Sequence, residues 1–145
     1  MGERSISSRA MHKISNFVEI RGACLSDHNF VFDSWRRSFA DSDFSKPINA
    51  LVFFKGHHRV IEKILEKGQV EIACSKEFPE EIRGWIAYDR DCLHFIYVKS
   101  PFRRFGVSRL LMNGHNFKEY SHLNDNVKYI LPGATYNPYT FFMNL

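Results

Sequence analysis

Apolar positions change period along the chain, and each change marks an element. Phe17-Val18-Glu19-Ile20-Arg21 alternates and reads as a short strand. Phe30, Val31, Trp35 and Phe39 then recur at helical spacing, with Ser26 placed to cap the helix and Asp27 in its first turn. Asp41-Ser42-Asp43 ends it. A second helix starts at Pro47, where a missing N–H costs nothing. Leu51, Val52, Ile61, Ile64 and Leu65 form its apolar face, Gly68 stops it, and Gly56 leaves room for a break near His57 and His58.

The period then falls from 3.6 to 2. Val70, Ile72 and Cys74 alternate with Glu71, Ala73 and Ser75, and Phe78-Pro79-Glu80-Glu81 is a turn. Ile82 to Tyr88 is the next strand, Asp89-Arg90-Asp91 turns it back, and Cys92 to Lys99 is the third strand of a meander closed by Pro101. A helix is predicted from Arg104 to Tyr120, with Val107, Leu110, Leu111, Gly114 and Phe117 on one side, and a last strand from Val127 to Leu131. This order predicts an α+β fold with a mixed, mostly antiparallel central sheet flanked by helices. Residues 1–16 are polar, Ser-rich and aperiodic, and read as a flexible tail ahead of a single domain, 17–145.

Composition narrows the class. With 44% apolar and 25% charged residues over 145 positions, the chain can bury a core without disulfide or metal staples. Fourteen Phe, six Tyr and two Trp predict a core and a groove built largely from rings. A net charge of +4 favours anionic partners, with one local concentration at Lys99, Arg103, Arg104 and Arg109. Cys24, Cys74 and Cys92 follow no CxxC or metal-ligand spacing, so reduced thiols and no disulfide are expected. The longest apolar run, Ala50 to Phe54, is too short for a membrane span, and the first residues lack the apolar segment of a secretory signal. Ile6 breaks the myristoylation pattern after Gly2, so a cytoplasmic location is expected.

The stretch that carries chemistry is Tyr97 to Leu111, where a buried strand runs into a basic, Gly-containing turn that opens onto an amphipathic helix. The first N–H groups of a helix are unpaired, and a loop that converges them suits phosphate. Gly106 lets a ligand approach the backbone, and Arg103, Arg104 and Arg109 add positive charge. The pattern reads as a pyrophosphate cradle.

Arg103-Arg104-Phe105-Gly106-Val107-Ser108, preceded by Val98, Pro101 and Phe102 and followed by Leu110-Leu111, resembles motif A of the Gcn5-related N-acetyltransferases, Gln/Arg-x-x-Gly-x-Gly/Ala. The element order over residues 17–131 is similar to that family too. The resemblance implies an enzyme that moves an acetyl group from acetyl-coenzyme A to a primary amine: a protein lysine, an N-terminus or a small amine. It implies that the backbone of Arg104, Phe105, Gly106, Val107 and Ser108 holds the pyrophosphate, with Arg103 beside it. Ile96 and Val98 would pair with the pantetheine arm, in a gap between their strand and the next, here Val127–Leu131. Ser108 stands where Gly or Ala is usual, and fourteen residues follow Leu131 where the family has a helix and a hairpin, so a fold shortened at the C-terminus is expected. The Ser34-Trp35 helix and the Tyr-Asn-Pro-Tyr ending are similar to small acetyltransferase-like proteins of tailed phages, which would place the chain in a host cytoplasm.

For the acid that protonates the leaving thiolate the family uses a Tyr after the fifth strand, and Tyr139 and Tyr136 are the candidates; the alternative is that they pack the sheet end beside Pro138. For the base, the family often uses a carboxylate early in the strand before the motif, or a water relay, and no Glu lies there. His94 shares a strand face with Cys92, Ile96 and Val98 by alternation and is the candidate, against an ordinary core histidine; Glu71 and Asp91 follow. His57-His58 face different ways on a helix and make a poor metal pair, so no metal is expected. A catalytically silent acetyl-coenzyme A-binding or host-protein-interaction module on the same fold is the alternative function. Nucleic-acid binding through Lys99–Arg109 is disfavoured by the modest charge. A homodimer through an exposed edge strand is open to this fold.

Overall fold

The alternation of Val70, Ile72 and Cys74 with Glu71 and Ala73 drives β2 (Gln69–Ser75) into the middle of a sheet, because each face of the strand has its own apolar layer to meet. The computed structural model describes residues 13–40, 50–122 and 131–139. Along the chain β1 (Val18–Gly22) is followed by α1 (His28–Ala40), α2 (Ala50–Lys67), β2, β3 (Ile82–Asp89) and β4 (Cys92–Val98). A short α3 (Val107–Met112) and the two-residue strands β5 (Glu119–Tyr120) and β6 (Thr135–Tyr136) complete it. The strands lie in sequence order, β1 to β4 antiparallel and β5 and β6 parallel to β4, which gives the expected mixed α+β sheet.

Two cores flank the sheet. On one face Val31 and Trp35 of α1 and Ile61 and Ile64 of α2 pack on Ile72, Cys74, Trp85, Ala87 and Phe95. On the other Val107 and Leu111 of α3 pack on Ala73, Ile86, Tyr88, Leu93 and Ile96. Trp35 lies stacked on Phe95 with ring centroids 5.3 Å apart, and Trp85 donates its indole N–H to Ser34 Oγ at 2.8 Å. The ring-rich core expected from composition is therefore the layer between the long helices and the sheet. Each large side chain buried there adds about 1.5–3 kcal/mol.

Several local expectations change. α2 runs through Gly56 without using the room for a break that the glycine leaves. Residues 13–16, expected in the tail, form a turn in which Phe17 N–H donates to Ile14 O at 3.0 Å and Ile14 packs on the core. The helix predicted over Arg104–Tyr120 is only α3: Asn113 is extended, Gly114 is left-handed at φ 84°, and Phe117 reaches the core from an extended connection instead. The predicted strand Val127–Leu131, the helix start at Pro47, the helix end at Asp41-Ser42-Asp43 and the first twelve residues lie outside the described residues, apart from Leu131, which packs beside the α3 core. Among the described residues no helix is long and apolar enough to cross a membrane.

One ion pair ties β1 to its surroundings. Arg21 grips buried Asp27 with both terminal nitrogens, at 2.7 and 3.0 Å, and donates to Pro79 O at 3.1 Å. Asp27 also accepts Cys24 N–H at 2.8 Å and so holds the turn ahead of α1, the place expected for Ser26. The Arg21 guanidinium holds the Asp27 carboxyl well below the usual carboxylate range. A lowered folded-state pKa means stability that is complete above the unfolded value near ~4 and is lost as pH falls below it. Asp27→Asn should cost about 2–4 kcal/mol at neutral pH. Its urea midpoint should also fall less steeply than wild type between neutral and acid pH, and parallel slopes would show that the pair does not carry the acid sensitivity.

Candidate functional site

β3 pairs with β4 from Gly84 to Asp89, but among the described residues β5 meets β4 only at Cys92 and Leu93. The last bond of that ladder is Ser121 N–H to Leu93 O at 3.1 Å. From His94 to Val98 no further strand covers this edge among the described residues. Lys99 N–H donates to Arg83 O at 2.8 Å on the β3 side. Antiparallel alternation therefore turns the main-chain groups of Tyr97 and Phe95 toward β3 and those of Ile96 and Val98 toward the open edge. The strand beside Cys92 and Leu93 of β4 is Glu119–Tyr120, and among the described residues the gap opens where it stops.

The open edge leads straight into the basic loop. Lys99 to Arg103 make one 3-10 turn, with Phe102 N–H on Lys99 O at 2.9 Å and Arg103 N–H on Ser100 O at 3.3 Å. Arg104 (φ 69°) and Gly106 (φ 93°) are both left-handed, and α3 begins at Val107. For Arg104, a residue with a Cβ, this conformation is strained, and such strain clusters where a loop has been shaped for a ligand. Leu110 N–H to Gly106 O, 3.0 Å, is the first helical bond, and among the described residues the N–H groups of Arg104 to Ser108 meet no backbone carbonyl. Unpaired N–H groups around left-handed residues form a concavity suited to an anion. α3 has only six residues, so its dipole contributes less than the predicted long helix would. Attraction here rests on the loop amides and the arginines.

The four clustered basic residues divide their tasks. Arg103 Nε donates to Val98 O at 2.8 Å, which braces the end of the open edge. Lys99 turns to the α1 side, its ammonium 4.9 Å from the Phe30 ring centroid. Arg104 is exposed and Arg109 is half-buried on α3. Beside the loop a groove of about 540 Å³ is lined by Phe30, Ile82, Arg83, Lys99 and Phe102, with Glu80 and Glu81 at its side.

His94 does not lie where alternation puts it. The register Ala87↔Phe95 followed by Tyr88↔Leu93 makes His94 an extra residue, a bulge. Leu93 and Ile96, three apart, consequently share the α3 core, and the His94 ring turns the other way to hydrogen-bond Ser121 Oγ at 2.7 Å. Burial pushes its pKa down to about 4. Ser121 and His122 went unnoticed in the sequence because they fell at the end of the overlong predicted helix, and only a polar pair directly after Glu119-Tyr120 could have flagged them.

Tyr136 pairs through β6 with Tyr120, which pairs with Leu93, so it sits two strands from β4, level with the start of the gap. The Tyr120 and Tyr136 ring centroids are 5.6 Å apart, and partial burial with its Tyr120 and Tyr139 neighbours raises the Tyr136 pKa. Tyr139 is 66% exposed, which does not suit a residue that packs the sheet end. Glu71 is taken up by His115 at 3.0 Å, and the Asp91 carbonyl accepts the N–H groups of Lys118 and Glu119 at 2.8 and 3.1 Å. The structure thus sets Ile96 and Val98 on the strand that leads into the Arg103–Ser108 loop and leaves Glu71 and Asp91 engaged elsewhere.

No protein-family model matches the chain, and no curated protein matches it in sequence. Among solved structures, a histone acetyltransferase HPA2-related acetyltransferase from Corynebacterium glutamicum superposes with TM-score 0.53 at 20% identity, over 67% of this chain and 68% of that one. A possible acetyltransferase from Clostridium difficile 630 gives TM-score 0.52 at 17% identity, over 78% of this chain and 84% of that one. The chain has the Gcn5-related N-acetyltransferase fold. YjaB from Escherichia coli, at TM-score 0.49 and 16% identity over 66% of this chain, is matched over only 61% of its own length.

In this acetyltransferase fold the end of β4 is seated on Gly84. A Cβ there would lie 2.5 Å from Tyr97 O and 3.2 Å from Val98 Cα, both backbone atoms that cannot swing aside. Gly84→Ala should therefore lower stability by about 1–3 kcal/mol, read as a lower urea midpoint. An unchanged midpoint would mean that β4 shifts without strain.

Proposed function

We propose that this chain is an N-acetyltransferase that moves an acetyl group from acetyl-coenzyme A to a primary amine, on a protein lysine, an N-terminus or a small molecule. The observation that carries the reading is the open edge of β4 running into the Arg104–Ser108 loop. The residues present fit the donor. Its pyrophosphate suits the amides of Arg104, Phe105, Gly106, Val107 and Ser108, with the Arg104 charge beside them. Its pantetheine arm carries amides that can add to Ile96 and Val98 as an extra strand would.

Acetyl transfer needs little from the protein beyond placement and proton handling. The neutral amine nitrogen forms the new C–N bond, and the carbonyl oxygen becomes an oxyanion that the Val98 N–H is placed to receive. As the C–S bond breaks, the thiolate takes a proton. Tyr139 is the proposed donor, with Tyr136 next to it.

Two variants test this. Gly106→Val puts a β-branched residue at φ 93° and a side chain in the cradle, so affinity for acetyl-coenzyme A measured by calorimetry should fall at least about tenfold, a cost of ~1.4 kcal/mol. Equal affinities for variant and wild type would remove the loop from the binding site.

Tyr139→Phe keeps the ring and deletes the proton. Cofactor affinity and unfolding midpoint should stay near wild type while the transfer rate drops by about a hundredfold. A loss of stability at an unchanged rate would assign Tyr139 to packing. Donor binding without acetylated product from any amine, peptide or protein would leave a silent binding module on the same fold.

A further inference from the structure

The loop assigned above to the donor's pyrophosphate exposes a large ring to water. Phe105 is 66% exposed, although every other apolar side chain from Phe102 to Met112 is buried or half-buried. Phe102 carries the Arg83 guanidinium on its face, 4.1 Å from the ring centroid, and Val107 and Leu111 lie in the α3 core. The backbone explains the exception. Phe105 stands between Arg104 at φ 69° and Gly106 at φ 93°, two left-handed residues that turn the chain sharply on either side of it. The conformation that keeps the amides of Arg104 to Ser108 off every backbone carbonyl among the described residues also keeps this ring out of the core. A single exposed apolar side chain is ordinary on a protein surface. This one differs in its place, since its own amide belongs to the cradle.

We propose that Phe105 is the platform on which the adenine of acetyl-coenzyme A stacks, and so the residue that makes the site prefer a nucleotide-bearing donor. The proposal rests on the acetyltransferase reading above and extends it from the pyrophosphate to the base. In coenzyme A a single ribose joins the pyrophosphate to adenine. A pyrophosphate on the Phe105 amide therefore brings the base within a side chain's length of the Phe105 ring. A purine has a flat π-face, and stacking it on an aromatic ring takes apolar surface of both out of water. Arg104, exposed next in the chain, adds a cation beside the same ligand. The consequence is selectivity. An acetyl group on phosphopantetheine alone, as on a carrier protein, has the arm and one phosphate but no base. The β4 edge and the amide cradle serve either donor, whereas the ring serves only the one that carries adenine.

Calorimetry with acetyl-coenzyme A and with acetyl-phosphopantetheine, which lacks the adenosine, tests this without turnover. Phe105→Ala should weaken acetyl-coenzyme A binding by about tenfold and leave affinity for the truncated donor as it is, at an unchanged urea midpoint. Phe105→Trp should keep the affinity, and Phe105→Leu, apolar but without a flat face, should lose most of what Phe105→Ala loses. On binding to the wild type the adenine ring C–H resonances should move upfield under the ring current of Phe105, and with Phe105→Ala they should not. Where the truncated donor binds too weakly to measure, these resonances decide. Equal affinity of Phe105→Ala and wild type for acetyl-coenzyme A overturns the platform and leaves the acetyltransferase reading standing. An equal loss with both donors does the same and makes the ring a shaper of the loop. A variant that changes only self-association, read by light scattering, overturns it in favour of a contact between copies. If the wild type binds neither donor, the acetyltransferase reading itself fails and the platform falls with it.

Discussion

Among the described residues, two pairs, Cys92 with Glu119 and Leu93 with Tyr120, make up the ladder between β4 and β5. Had that ladder continued, the main-chain groups of Ile96 and Val98 would be spent within the sheet and β4 would be an ordinary interior strand. The bulge at His94 marks where it stops. The extra residue swings β4 relative to its own register and sends the His94 ring toward Ser121, so the same irregularity opens an edge and positions a polar chain at its head.

A strand left open on one side needs support from the other, and the aromatic layer supplies it. Phe95 is wedged under Trp35 and beside Trp85, with ring centroids 5.3 and 5.8 Å away. Tyr97 packs on Trp85 at 6.0 Å and is met by Phe30 at 6.1 Å. These residues alternate with Ile96 and Val98, so each open-edge position lies between two anchored neighbours. Gly84 completes the seat by allowing the β3 backbone to approach Tyr97 O. Arg103 closes the far end with its bond to Val98 O, which makes it a brace for the strand as well as a charge for the loop.

How much of this was legible in the sequence varied with the range of the interaction concerned. The meander from Val70 to Val98 and the basic loop followed from period-2 alternation and from local chemistry around Gly106, and both stand in the structure. The face of His94 did not, because strict alternation assumes a regular ladder and a single bulge reverses it. The Arg104–Tyr120 helix was overread for a similar reason: Gly114 and Phe117 fit helical spacing, but Asn113 and Gly114 turn the chain, and Phe117 reaches the same core by another route. Strands of two residues, such as β5 and β6, hold by pairing rather than by pattern and leave almost no periodic signal. Ser121 and His122 were invisible on that account, since their meaning lies in a contact 27 residues away in sequence.

The magnitudes separate what the edge does from what the loop does. A neutral main-chain hydrogen bond gained on binding replaces one to water and nets roughly 0.5–1.5 kcal/mol, whereas a bond to a charged group nets about 1.5–3. With Val98 O already engaged by Arg103, the edge has few groups left to offer a pantetheine arm. In the proposed function its contribution is mainly alignment: it limits how far an extended ligand can slide along β4. Under the proposed function, affinity for an anionic donor would come from the Arg104–Ser108 amides and the arginines near them. Because Arg103 Nε donates to Val98 O, one hydrogen bond ties the first residue of that loop to the end of the strand beside it.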